Sequence, residues 1–160
     1  MPLLHEQHFR AVENLLHEWA RCIDENRVEA VAELLLPEGR YTVQSRFNAD
    51  RGLPHALMDA RSAAQLRDRI KSMRLANIYE PQHYRHLLSG VQIVGGEPGA
   101  LQVRSSFLVV RTLDLDGDMK VFAAGQCDDV VDVTGPEPLF RARHFMLDSR
   151  VVETLMVIPL

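Results

Sequence analysis

Seven histidines, two cysteines and a run with three aspartates are the residues of this 160-residue chain that could do chemistry. His5 and His8 stand one turn apart near the start of a helix-like stretch, so both could reach one metal ion, but no neighbouring residue supplies a third ligand. His83 and His86 bracket Tyr84-Arg85 on an extended run. Residues three apart on a strand point to opposite faces, so this pair cannot chelate without a bulge. Cys22 is followed by Ile23-Asp24 and Cys127 by Asp128-Asp129, without the nearby cysteine or histidine of an iron–sulfur motif. The two cysteines fall in different predicted elements, which reads as buried free thiols rather than a disulfide.

Nucleophilic catalysis has no motif to rest on. The chain has no G-x-S-x-G elbow and no phosphate-cradling G-x-x-x-x-G-K, and Gly95-Gly96-Glu97-Pro98-Gly99 has the composition of a hairpin turn. Acid–base chemistry is the stronger option. Asp128 and Asp132 share one face of a predicted strand and Asp129 takes the other. One of them, aimed into an interior beside Tyr41 or Tyr84, could abstract a proton as the carboxylate of an isomerase does. The plainer reading is a solvated or salt-bridged strand end. Arg67, Arg69, Lys71 and Arg74 read as a solvated helix face. Arg85 stands between aromatic and histidine neighbours, where a guanidinium can bridge carboxylates and carbonyls of an adjoining loop or subunit. With His86 and Arg69 it forms the expected structural or subunit-contact set.

These side chains need a frame. Phe9, Val12, Leu15, Leu16, Trp19, Cys22 and Ile23 recur at three- and four-residue spacing, which predicts an amphipathic helix over His5–Glu25. Asn26 with Glu29 predicts the start of a second helix over Val28–Leu36, stopped by Pro37-Glu38-Gly39. Arg40–Phe47 alternates as a half-buried strand, with Tyr41, Val43, Ser45 and Phe47 on one face. Asn48–Asp59 reads as irregular, and Ser62 with Gln65 caps a third helix that carries Leu66, Ile70 and Met73.

After Pro81 the chain predicts only strands: His83–Val94, Ala100–Thr112, Met119–Val133, Leu139–Asp148 and Val151–Ile158, separated by turn sequences. The final run, V-V-E-T-L-M-V-I-P-L, stays apolar throughout and is expected to be held as a paired strand. Helices first and a strand meander afterwards give an α+β fold, with N-terminal helices packed on a strongly curved antiparallel sheet in a single domain over 1–160. The interior of such a cone is either a filled core or a pocket.

Composition excludes several function classes. A formal charge of -4, from 18 basic and 22 acidic residues, gives no footprint for nucleic acid. No run approaches the roughly 20 apolar residues that span a bilayer, and the N-terminus lacks a basic segment followed by an apolar one, so a soluble cytoplasmic protein is expected.

An ordered set of segments then carries a family likeness. The first helix ending in I-D-E-N, R-D-R-I at Arg67–Ile70, Y-R-H-L-L-S-G at Tyr84–Gly90, V-F-A-A-G-Q-C-D-D-V at Val121–Val130 and the ending L-D-S-R-V-V-E-T-L-M-V-I-P-L resemble the small (beta) subunit of bacterial aromatic-ring-hydroxylating oxygenases. The resemblance implies a cone-shaped, cystatin-like domain of the nuclear-transport-factor superfamily. It also implies a non-catalytic chain with no cofactor of its own, assembled with a large (alpha) subunit that carries a Rieske iron–sulfur cluster and a mononuclear iron. NAD(P)H would supply electrons through a reductase, and copies of the small chain would form a trimer within a three-plus-three hexamer. The stretch R-Y-T-V-Q-S-R-F-N-A-D-R-G departs from many members and looks closer to the branch acting on salicylate- or anthranilate-like acids. Two other readings stand beside this one: a stand-alone isomerase or dehydratase using Asp128, Asp132, Tyr41 and Tyr84, and a small-ligand binding module.

Overall fold

The computed structural model describes residues 2–76, 79–152, 156 and 158–160. Helix α1 (Pro2–Asp24) buries Val12, Leu16, Trp19, Cys22 and Ile23 along one stripe, as its spacing predicts. It ends because Asn26 turns left-handed, at φ 60°, which asparagine tolerates better than most residues. Asn26 therefore closes α1 rather than opening the next helix. That next element is a 3-10 stretch, Val28–Leu34, with no side-chain cap at Arg27.

Strand β1 (Leu35–Ser45) begins earlier than predicted. Pro37-Glu38-Gly39, read as a helix stop, lies inside it as an irregularity, since the pairing steps from Leu35↔Phe140 to Arg40↔Ala142. A Cβ on Gly39 would stand 2.9 Å from the carbonyl oxygens of Leu36 and Phe140, so the close approach needs glycine. The predicted alternation holds for Tyr41 and Val43, but Arg46 and Phe47 leave the strand for a short helix, α2 (Arg46–Asp50), which Ser45 caps by accepting the Asn48 N–H at 3.2 Å. A three-residue strand, β2 (Met58–Ala60), follows within the segment expected to be irregular. The Ser62 cap is present. Its hydroxyl accepts from the Gln65 N–H at 3.1 Å, and Gln65 reaches back to the Arg61 N–H at 2.8 Å, opening α3 (Ala63–Leu75), which buries Leu66, Ile70 and Met73.

The four long strands after Pro81 lie close to their predicted bounds: β3 (Gln82–Glu97), β4 (Ala100–Leu113), β5 (Met119–Asp132) and β6 (Leu139–Leu147). They belong to a six-stranded sheet of order β2-β1-β6-β5-β4-β3. Every neighbouring pair is antiparallel except β1 and β6, which run parallel, so the sheet is mixed where an antiparallel one was predicted. Irregularities at Ser89/Gln92, Ile93/Gly95, Val109/Val110 and Val130/Val131 sharpen its curvature.

Aromatic rings pack together between α1 and the sheet. Trp19 lies 5.4 Å from Tyr41 and 5.5 Å from Phe140, and Phe145 meets both Tyr41 and Phe107. Part of the predicted terminal strand, residues 153–155 and 157, lies outside the described residues. Its described members, Val151, Val152, Met156 and Ile158, are not in a strand. Side-chain bonds hold the segment instead: the Leu160 N–H donates to the Tyr41 hydroxyl at 2.9 Å, and the Leu160 carbonyl accepts from Trp19 Nε1 at 2.7 Å and from Tyr41 at 3.4 Å. No helix among the described residues is long and apolar enough to cross a membrane.

Candidate functional site

Alternation along β3 turns Tyr84, His86 and Leu88 inward and His83, Arg85 and Leu87 outward. The last residue of α1, Asp24, meets His86 there. One carboxylate oxygen accepts from His86 Nδ1 at 2.6 Å and the other from the His86 backbone N–H at 2.9 Å. The His86 and Asp24 side chains are only 1% and 7% exposed. Because a carboxylate can only accept, the contact places a proton on Nδ1. Nε2 is buried and has no hydrogen-bond partner among the described residues.

Asp24 also borders an open cleft of ≈ 360 Å³, together with Met73, Tyr79, Tyr84, Asp114 and Ile158. At its rim His83 pairs with Asp114 at 2.8 Å. Tyr84 stacks on Phe122 at 5.1 Å, and burial pushes its hydroxyl well above the ordinary phenol range, so it stays neutral. An aspartate-oriented imidazole near a phenol could pass a proton, but His86 does not line the cleft. The pair ties the end of α1 to the edge strand.

A second buried pair lies deeper. Asp129 and Arg143 face each other across β5 and β6, 3.7 Å apart, with side chains almost wholly buried. The Arg143 guanidinium sits over the rings of Phe140 at 4.4 Å, Phe145 at 4.8 Å and Trp19 at 4.9 Å. Burial pushes the Asp129 carboxyl up to about 6, with Arg143 pulling the other way. The thiols are inert for a similar reason: burial lifts Cys22 to about 11 and raises Cys127 further.

Asp128 and Asp132, the candidate acids of the isomerase reading, are engaged by neighbouring side chains. Asp128 points outward and takes Arg104 at 3.2 Å and Gln126 at 2.9 Å. Asp132, beyond the irregularity at Val130/Val131, accepts from the Thr134 N–H at 3.0 Å, the Thr134 hydroxyl at 2.6 Å and Arg141 at 2.6 Å. The Thr134 bonds and then Arg141 hold its carboxyl below the usual range. Tyr41 is interior, but Leu160 occupies its hydroxyl. Among the described residues no hydrogen bond joins any two of Asp128, Asp132, Tyr41 and Tyr84. The expected contact set also divides. His86 turns in to Asp24, whereas Arg85 and Arg69 are exposed and make no ion pair with described residues.

Asp24 and Arg143 were missed from sequence, whereas Asp129 was one of the three aspartates named as able to face the interior. Asp129 and Arg143 did leave a signal, because each stands in phase with the buried residues of its strand, Asp129 between Cys127 and Val131 and Arg143 two before Phe145. Among the described residues no three His, Cys, Asp or Glu side chains converge as metal ligands. The His5 side chain lies outside the described residues.

Comparison with known proteins gives the geometry a lineage. Residues 7–138 match the SnoaL-like domain. The chain is 34% identical to the anthranilate 1,2-dioxygenase small subunit of Burkholderia cepacia, over 86% of this chain and 85% of that one. It is 32% identical to a terephthalate 1,2-dioxygenase terminal oxygenase beta subunit of Comamonas sp, over 89% and 92% of the two chains. A crystal structure presented as the beta subunit of an aromatic-ring-hydroxylating dioxygenase from Novosphingobium aromaticivorans superposes with a TM-score of 0.86 at 29% identity, covering 94% of this chain and 95% of the other. With a SnoaL-like domain over most of its length and these relatives matched nearly end to end, the chain belongs to the small (beta) subunits of aromatic-ring-hydroxylating dioxygenases.

Proposed function

We propose that this chain is a non-catalytic subunit that assembles with, and stabilises, a large oxygenase subunit. The Rieske cluster, the mononuclear iron and the chemistry would all reside on that partner, fed with electrons from NAD(P)H through a reductase. The observation that carries the reading is the identity to two dioxygenase small subunits over most of each chain. The packing of Trp19, Tyr41, Phe107, Phe140 and Phe145 against one another supports it, while the open cleft beside Asp24 and Tyr84 is the feature that a stand-alone isomerase or a binding module would use. Both named relatives belong to dioxygenases of aromatic acids, which favours an aromatic acid as the complex's substrate. A cytoplasmic location and a three-plus-three assembly complete the proposal.

The outer face of the sheet suits contact between subunits. Leu87, Met119 and Val121 are exposed, with Leu108 and Val110 between them, and Arg85 is paired in register with Val110. Co-expression with the neighbouring large-subunit gene tests the reading, followed by size and iron analysis. A large complex should form with iron on the partner. The small chain purified alone and tag-free should carry none, and about one iron per chain would overturn the proposal. Arg85→Ala should weaken assembly and leave the rate per intact iron centre nearly unchanged. Normal assembly with lost turnover would place Arg85 in catalysis.

A further inference from the structure

The corner where α2 follows β1, and where the chain leaves β6, holds an arrangement that the reading above does not use. Phe47, half-buried in α2, has the guanidinium carbon of Arg51 at 3.6 Å from its ring centre and that of Arg150 at 3.7 Å. Two cations this close to one centroid cannot share a face of the ring, so Phe47 stands between them. Arg51 is further fixed by its own Nη1, which donates to the Phe47 carbonyl at 3.1 Å. Arg46 ties the corner together through two bonds to one oxygen of Asp148, from Nε at 2.9 Å and Nη2 at 2.5 Å. Asp148 is thus engaged by Arg46, while Arg51 and Arg150 make no ion pair among the described residues. Both are exposed, in a chain whose net charge is -4.

A guanidinium laid flat on a ring keeps its N–H donors in its own plane, aimed past the ring edge, so stacking fixes its direction without satisfying it. The two sets of donors are too far apart for one carboxylate to bridge, because the ring lies between them. A small anion would engage one arginine at most. A chain segment with two carboxylates would engage both, each in the bidentate geometry that guanidinium favours. Leu53 and Leu57, in the loop after α2, and Val151, next to Arg150, are exposed large apolar residues. Arginine and aromatic rings are the residue types enriched at the cores of interfaces. A nucleic acid would need a far more extended basic surface than two arginines on an acidic chain.

We propose that this corner docks an acidic segment of the large oxygenase subunit, two of whose carboxylates each take one of the guanidinium edges of Arg51 and Arg150. The inference rests on the small-subunit reading and assigns that partner a place on the surface. The test compares the wild-type chain with R51E/R150E and R51K/R150K, each co-expressed with the neighbouring large-subunit gene. Affinity is read by titration across salt concentrations, the fold by circular dichroism and self-association by light scattering. R51E/R150E should bind about 10- to 100-fold more weakly and with a shallower salt dependence, R51K/R150K should fall between, and self-association should be unchanged. Equal affinity in a folded R51E/R150E overturns the inference and leaves the small-subunit reading standing. Loss of self-association in parallel overturns it too, since the corner would then join copies of this chain. Failure of the wild-type chain to join the large subunit at all removes both. If R51E/R150E does not fold, hydrogen exchange on the wild-type chain decides: protection of residues 46–51 and 148–151 on assembly supports the docking, and its absence overturns it.

Discussion

Replacing Asp24 by alanine tests the tie between α1 and β3 directly. The carboxylate accepts two hydrogen bonds, at 2.6 and 2.9 Å, from donors of His86, whose side chain is 1% exposed. Its removal leaves the Nδ1–H and the backbone N–H of residue 86 buried without acceptors, at roughly 1–3 kcal/mol each. The sum is about 2–6 kcal/mol, a range that includes the usual cost of about 3–5 kcal/mol for removing one partner of a buried pair. Against a total stability of about 5–15 kcal/mol, that is a large fraction. In a chain of this length it should lower Tm by roughly 10 °C. Asp24→Asn keeps the shape and one acceptor, so about 1–2 kcal/mol is expected. Urea unfolding of the isolated chain, followed by circular dichroism at fixed protein concentration, measures all three proteins, and the double-mutant cycle with His86→Ala isolates the coupling. An Asp24→Ala variant within about 1 kcal/mol of wild type, or full additivity with His86→Ala, would refute the tie.

Asp129 should govern part of the pH dependence. Its folded-state carboxyl titrates at about 6, above its ordinary 3.8, so its contribution to stability is fully present below about pH 4 and is lost as pH rises through 6. Asp129→Asn removes that titration, so its stability relative to wild type should increase between pH 4 and pH 7 by on the order of 2–3 kcal/mol; a flat difference in urea titrations would contradict the assignment. Tyr41→Phe deletes the hydroxyl that both accepts from and donates to Leu160, and should cost about 1–3 kcal/mol while speeding hydrogen exchange at Leu160. Unchanged exchange there would show that packing alone holds the segment. Gly125→Ala would drive a Cβ to 1.9 Å from the Met146 carbonyl oxygen, so misfolding or a loss of more than about 3 kcal/mol is expected, and a soluble G125A of wild-type Tm would disprove the close approach.

Sequence alone determined whatever depends on neighbours along the chain. The stripe of α1, the Ser62 cap and the alternation of β3 to β6 were legible because a helix period, a cap and a pleat are set within a few residues. From those periods came the α+β class, and from the ordered segments the family. The tertiary structure alone decided which distant residues meet. Asp24 reaches His86 across 62 positions, and Trp19 reaches Leu160 across 141. No local period encodes either contact. The three aspartates of β5 show the reason most clearly. Alternation correctly separated Asp128 from Asp129, but it could not say which face would be enclosed. That depended on β5 lying between β4 and β6 with its Cys127 and Val131 face against the core, so that Asp129 was buried opposite Arg143 and Asp128 was left outside with Arg104. In the same way the parallel union of β1 with β6 carried Tyr41 into the core beside Trp19, where its hydroxyl meets the main chain of Leu160 instead of an acid. Burial and pairing are properties of the assembled sheet, and they decided which partner each of these residues has.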